Sequence, residues 1–224
     1  MNACLVVFAK DPIPGRVKTR LTPRITPDEA ARLYKAFILD IINNARKLER
    51  NSIDNITVAY TPVDAERVFR KLVEHPANLL PQKGRNLGER MKNVFKRSFT
   101  EGAKRVVIIG TDSPTLPTSY IQKAFDVLKK VPVVIGPTFD GGYYLVGLSK
   151  QNDDIFDGIE WSTSRVFGQT MTRIKSLNMQ VYVLPPWYDV DTSEDLEFLK
   201  SHLLAMRMSG IEEIPDRTMQ LLKV

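Results

Sequence analysis

Cysteine is almost missing from this chain. Cys4 is the single one among 224 residues, so no internal disulfide can form, and its position in an apolar run gives it the role of a small buried hydrophobe. Histidine is nearly as scarce: His75 and His202 are the only two, and neither has a Cys or His at ligand spacing, which argues against zinc. No segment approaches ~20 uninterrupted apolar residues, and the first apolar run, about seven residues long, is too short for a signal sequence or a membrane span. A cytoplasmic protein with no membrane partner is expected. Repeats, low-complexity tracts and linkers are absent too, and 43% hydrophobic content is enough for a full core, so residues 1–224 read as one domain. Two familiar phosphate motifs are also missing. "GRVKT" lacks P-loop spacing and no GxGxxG follows the first strand, which excludes a Walker ATPase and a dinucleotide-binding dehydrogenase.

What the chain has is positive charge in two places. Its net charge is +6, yet residues 1–24 carry +4 and residues 83–97 carry +5, which leaves the remainder at −3. Two basic patches on a mildly acidic body suit a small polyanion better than nucleic acid, whose binders spread charge over a face.

Strands and helices alternate along the sequence. "CLVVFA", "ITVAYT", "RVVIIG", "VPVVIG", "YYLVGL" and "VYVL" are short, rich in Val, Ile and Tyr, and bounded by turn residues, as buried strands are, with another short strand near Leu79 and Leu80. The clearest helix starts at Thr26 as N-cap, with Pro27 at the first helical position and Asp28 and Glu29 in the first turn. Leu33, Phe37, Ile38, Ile41, Ile42, Ala45 and Leu48 form its apolar stripe. Further helices are expected over 64–75, 87–100, 118–130, 163–177 and 193–208. This alternation predicts an α/β fold with a mainly parallel sheet covered on both faces, and a ligand crevice outside the strands' carboxyl ends.

The stretch "KDPIPGRVKTR" leaves the carboxyl end of the first strand and so enters that crevice. Pro12, Pro14 and Gly15 shape the loop, while Lys10, Arg16, Lys18 and Arg20 supply cations for phosphate oxygens. "RVVIIGTDSPTLP" brings Asp112 out at the end of another strand, where a carboxylate can hold Mg²⁺ together with substrate phosphates, or else cap a turn before Pro114. In "WYDVDTSEDLEFL", Asp189 and Asp191 alternate and point the same way in extended chain. Either could complete a metal site, and Asp191 is preferred. Gly141 and Gly142 follow Asp140 where the backbone must turn tightly or approach a ligand. Lys83 and Arg85 precede a helix opened by Asn86, whose N-terminus can meet a base or a phosphate.

"FAKDPIPGRVKTRLTP", "KGRNLGERM", "GTDSPTLP", "GPTFDGGYYLVGL" and "DVDTSEDL" occur in the order found in a little-characterised transferase group of the nucleotide-diphospho-sugar transferase (GT-A-like) superfamily. The chain resembles that group from residue 4 to about 199. The superfamily includes guanylyltransferases for molybdenum cofactor and phospholactate. The resemblance implies a Rossmann-like three-layer α/β/α sandwich, a nucleotide bound over the first strand's exit, and a divalent ion, Mg²⁺ or Mn²⁺, held by Asp112 and Asp191. Two departures stand out. The Gly-rich "LAGG" loop of nucleotidyltransferases is replaced by the cationic stretch, and Asp112 has Thr111 and Ser113 as neighbours where a glycosyltransferase would carry DxD.

The expected function is Mg²⁺-dependent transfer from a nucleoside triphosphate or nucleotide sugar to a small phosphorylated or sugar-like acceptor, with nucleotidyl transfer preferred. Lys18 and Asp112 would act at the reacting phosphate. Lys10, Gly15, Arg16, Lys18, Arg20, Lys83, Arg85, Asn86, Gly141 and Gly142 would bind the nucleotide. Glycosyl transfer from a nucleotide sugar is the alternative, and a non-catalytic nucleic-acid-binding protein is the alternative of another class.

Overall fold

The computed structural model describes residues 3–49, 52–73 and 78–224. Seven strands form one sheet: β1 (Ala3–Lys10), β2 (Asn55–Thr61), β3 (Asn78–Pro81), β4 (Arg105–Ile109), β5 (Val133–Pro137), β6 (Tyr143–Leu148) and β7 (Val181–Val183). Their order is β3-β2-β1-β4-β6-β5-β7. Only β6 runs antiparallel to its neighbours, and every other pairing is parallel. The expected α/β sandwich with a mainly parallel sheet is the observed one.

Alternation along β1 shows why helices cover both faces. Ala3, Leu5, Val7 and Ala9 point into one hydrophobic cluster, whereas Cys4 and Val6 point into the other with Phe8 packed against it. The first cluster receives α1 (Pro27–Arg46), α2 (Glu66–Leu72), α4 (Thr118–Val127) and α6 (Ser193–Met208); the second receives α3 (Leu87–Thr100) and α5 (Val166–Ser176). Phe37 of α1 and Phe95 of α3 are both fully buried, each stabilising its layer by roughly 1.5–3 kcal/mol. Cys4 is buried as expected, and burial raises the pKa of its thiol.

Local signals set several boundaries. Thr26 and Glu29 form a reciprocal capping box on α1, with Pro27 behind the cap. Thr192 and Asp195 do the same on α6. Helices α3 and α6 span the expected residues. The expected helix over 64–75 is shorter because a turn closed by Ala65 N–H to the Pro62 carbonyl precedes it, and His75 lies outside the described residues. Helix α4 stops at Val127, where Lys130 N–H folds back to the Val127 carbonyl. Helix α5 starts at Val166 because the Thr163 hydroxyl is bonded to the Glu160 carbonyl in a preceding turn. A last helix, α7 (Asp216–Leu222), was not expected. Asp40 of α1 holds it by accepting bonds from the backbone of Arg217 and Thr218 and from the Thr218 hydroxyl.

Candidate active site

The carboxyl ends of β1 and β4 open into a cleft of about 630 Å³. One wall is the cationic stretch. Val17 and Leu21 are buried and anchor it to the core, while Lys10, Arg16 and Arg20 stay exposed and line the cleft. The floor is tied together by a chain of hydrogen bonds. The Lys10 backbone N–H donates to the Tyr34 hydroxyl (3.1 Å), Tyr34 pairs with the Thr111 hydroxyl (2.7 Å), and Thr111 donates to the Phe8 carbonyl (3.1 Å). Because Thr111 gives its proton to Phe8, Tyr34 is left as the donor between the two hydroxyls. Helix α1 thereby fixes the exit of β1 against the exit of β4. Burial pushes the Tyr34 phenol up to about 12, so it acts as a neutral strut.

Asp112 and Asp191 meet beside this floor. The Val190 N–H donates to the Asp112 carbonyl (2.9 Å) and the Ser113 hydroxyl to Asp189 (2.5 Å), which joins the β4 exit to the segment before α6. Asp195, the partner of Thr192 in the α6 capping box, also accepts from the Asp191 N–H (3.0 Å). Both carboxylates contact the Lys18 ammonium, Asp191 at 2.8 Å. Burial opposes the charge on Lys18, yet Asp112 and Asp191 outweigh it and hold the ammonium protonated beyond the ordinary lysine range. Burial likewise pushes Asp191 up, but Lys18 overrides it and keeps the carboxyl below the usual range. Asp189 goes the other way: burial first, then the neighbouring Asp112 charge, raises it to about 7.

Thr138, Asp140, Gly142, Ser162, Thr163 and Ser164 also line this cleft. Gly141 stands at φ +90°, and a Cβ there would lie 2.0 Å from the Ser164 carbonyl oxygen, so the turn between β5 and β6 can close on this loop only without a side chain. Asp140 accepts from the Gly142 N–H (3.0 Å) and the Thr138 hydroxyl (2.5 Å), which shapes the same turn. A second chamber of about 530 Å³ adjoins the first, sharing Lys10, Tyr34, Asp112, Tyr143 and Trp161, and adds Gln82, Arg85, Asn86, Arg90 and Met91. Trp161 packs on Gly88 so closely that a Cβ there would come within 2.5 Å of its ring.

Most of the residues expected from sequence thus converge: Lys10, Arg16, Lys18, Arg20, Asp112, Gly142 and Asp191 in the first chamber, Arg85 and Asn86 in the second. Arg85 also pairs with Glu89, and the Asn86 side chain caps α3 by accepting from the Glu89 N–H. Lys83 lines neither chamber, and Gly15 and Gly141 act through loop shape. Tyr34, Gln82, Tyr143 and Trp161 were not singled out in the sequence. Tyr34 lies next to Leu33 in the apolar face of α1, where an aromatic hydroxyl at the helix end nearest the strand exits was the available signal.

Among the described residues, no three His, Cys, Asp or Glu side chains form a metal-binding cluster. Asp112 and Asp191 nevertheless converge on one cationic group, and their side chains remain 45% and 42% exposed, so two carboxylates face the cleft with room for substrate or water oxygens. That donor set fits Mg²⁺ or Mn²⁺, which take few protein ligands.

Residues 44–163, more than half of the chain, match a family described as an uncharacterized protein conserved in bacteria (DUF2064). The chain belongs to this family. A solved protein from Desulfovibrio desulfuricans G20, classed by name with the nucleotide-diphospho-sugar transferases, is 38% identical, with a TM-score of 0.84 over 90% of this chain and 87% of that one. The 2-phospho-L-lactate guanylyltransferase of Methanocaldococcus jannaschii is 25% identical over 197 residues, 85% of this chain and 80% of that enzyme. A manganese complex of Rv0371c from Mycobacterium tuberculosis H37Rv shares the fold at 14% identity, with a TM-score of 0.52 over 89% of this chain and 98% of that one. The resemblance to the nucleotide-diphospho-sugar transferase superfamily is borne out. Among the described residues no helix is long and apolar enough to cross a membrane.

Proposed function

We propose that the protein transfers the nucleotidyl group of a nucleoside triphosphate to a small acceptor with the help of Mg²⁺ or Mn²⁺. The observation that carries this reading is the cleft's pairing of charge: three exposed cations line it together with two half-exposed carboxylates. A triphosphate needs both, cations for its oxygens and carboxylates for its metal. Lys10, Arg16 and Arg20 hold the phosphates, each charge-assisted contact contributing about 1.5–3 kcal/mol. Asp112 and Asp191 would hold the divalent ion, whose charge would offset that of the phosphoryl oxygens. The second chamber, with Gln82 and Asn86 amides beside Leu87, Met91, Tyr143 and Trp161, suits a flat, hydrogen-bonding nucleobase.

In the reaction the acceptor oxygen bonds to the α-phosphorus while the bond from that phosphorus to the bridging oxygen breaks, and pyrophosphate leaves. A phosphate acceptor needs no proton removed, so alignment and charge neutralisation are what the chain must provide. The M. jannaschii relative is named for a reaction of this type, which makes GTP the first donor to try. The test is to incubate the protein with each nucleoside triphosphate, Mg²⁺ and a panel of small phosphorylated acceptors, and to assay phosphate products. Pyrophosphate release with a new nucleotide ester supports the proposal. Nucleoside diphosphate release from nucleotide sugars would instead establish glycosyl transfer, and no turnover of either donor class with saturable nucleic-acid binding would overturn the enzymatic reading of the cleft.

A further inference from the structure

Lys18 differs from the other three cations of its stretch. Lys10, Arg16 and Arg20 are exposed, whereas the Lys18 side chain is only 3% exposed and its ammonium touches Oδ1 of both Asp112 and Asp191. Its Nζ lies 5.7 Å from the ring centre of Tyr34 and 5.8 Å from that of Phe37, an aromatic shelf that favours a cation. The backbone turns into the left-handed region to place it there, with φ 48°, a conformation disfavoured for a residue with a Cβ. The two carboxylates come from segments far apart in sequence, so the fold assembles a cation site and fills it with its own side chain.

We propose that Lys18 is the built-in cation of the Asp112–Asp191 pair, competing with a divalent ion for the place between the carboxylates, and that nucleotide phosphates tip the competition by drawing the ammonium outward. This inference rests on the reading of the cleft as a metal-assisted nucleotide site. An ammonium and a divalent ion repel strongly at contact distance, more so in a partly desolvated cleft. While Lys18 stays in place, it occupies Oδ1 of both aspartates and metal binds weakly. A triphosphate offers the ammonium alternative anionic partners, which frees the inner oxygens of both aspartates. By linkage, the factor by which nucleotide raises metal affinity equals the factor by which metal raises nucleotide affinity.

The competing account makes Lys18 a permanent structural ion pair. The two differ in nucleotide-free metal binding. Chelator-treated wild type and Lys18→Met, in which methionine keeps an apolar stem on Tyr34 and Phe37, are titrated with Mn²⁺ alone and followed by calorimetry and by the EPR signal of free Mn²⁺. Competition requires the variant to bind Mn²⁺ at least about tenfold more tightly than wild type, since a like charge next to the site has gone. Equal or weaker binding by Lys18→Met would overturn the proposal. Should the variant be too unstable to titrate, its melting temperature is compared with and without Mn²⁺: a rise larger than that of wild type supports competition, and the lack of one refutes it. Because no nucleotide is present, failure here leaves nucleotidyl transfer standing, and failure of the pyrophosphate assay leaves this result standing.

Discussion

Removing the carboxylates from around Lys18, first singly and then together, measures how the centre of the cleft is held. Asp112→Asn and Asp191→Asn each keep an oxygen able to accept from the ammonium but delete one negative charge. Both side chains are nearly half exposed, at 45% and 42%, so solvent screens each pair and a single loss should cost about 0.5–1.5 kcal/mol. The double variant is a different case. It leaves an ammonium with 3% side-chain exposure without either of its carboxylates, and uncompensated buried charges cost about 3–5 kcal/mol. Asp189, the neighbouring carboxyl, is raised first of all by burial, which the double variant leaves in place, so it offsets only part of that charge. The cost of the double variant should therefore exceed the sum of the singles by about 1–3 kcal/mol, within the range measured for coupled neighbours. Urea unfolding at low salt with chelator present is the assay, and about 2–4 °C of melting temperature per kcal/mol provides a second readout for a chain of this size. A double-variant cost equal to the sum within about 0.5 kcal/mol would refute the idea that the two carboxylates jointly neutralise one buried lysine.

Periodicity made the sheet and its larger helices legible. Buried strands need β-branched runs and amphipathic helices need a stripe, so β1 through β7 and α3 and α6 stand in the sequence where the structure has them. Helix α7 is invisible by the same logic. It has seven residues, and its place depends on Asp40, far away in the chain, accepting bonds from Arg217 and Thr218. The reversal of β6 is equally silent, because a strand buried on both faces reads the same in either direction. At the site, the residue types could be read but their orientations could not. Arg16, Lys18 and Arg20 look alike as a run of cations, yet a left-handed backbone at Lys18 and two carboxylates from distant segments turn one of them inward. Tyr34 was hidden for the opposite reason: its ring satisfies the apolar stripe, and only the tertiary contact with Thr111 shows the use of its hydroxyl.

Two further substitutions test the walls of the cleft. Gly141→Ala would force a Cβ to within 2.0 Å of the Ser164 carbonyl oxygen at φ +90°, so it should cost at least about 1–3 kcal/mol in urea unfolding and, by prising the turn from the loop, raise KM for the nucleotide. Unchanged stability would mean that the two segments do not pack as described. Asp189→Asn tests the buried carboxyl and has a definite sign. Its folded-state pKa is raised to about 7 from 3.8, so between those values the folded protein binds more protons than the unfolded chain. Stability present below about pH 4 is then lost as pH rises through 7. Asparagine still accepts the Ser113 hydroxyl but cannot ionise, so metal-free urea midpoints at pH 4.5, 6 and 8 should show the variant gaining on wild type with each step and exceeding it at pH 8. Parallel curves for the two proteins would show that Asp189 titrates normally, and would remove burial and the Asp112 charge as forces acting on it.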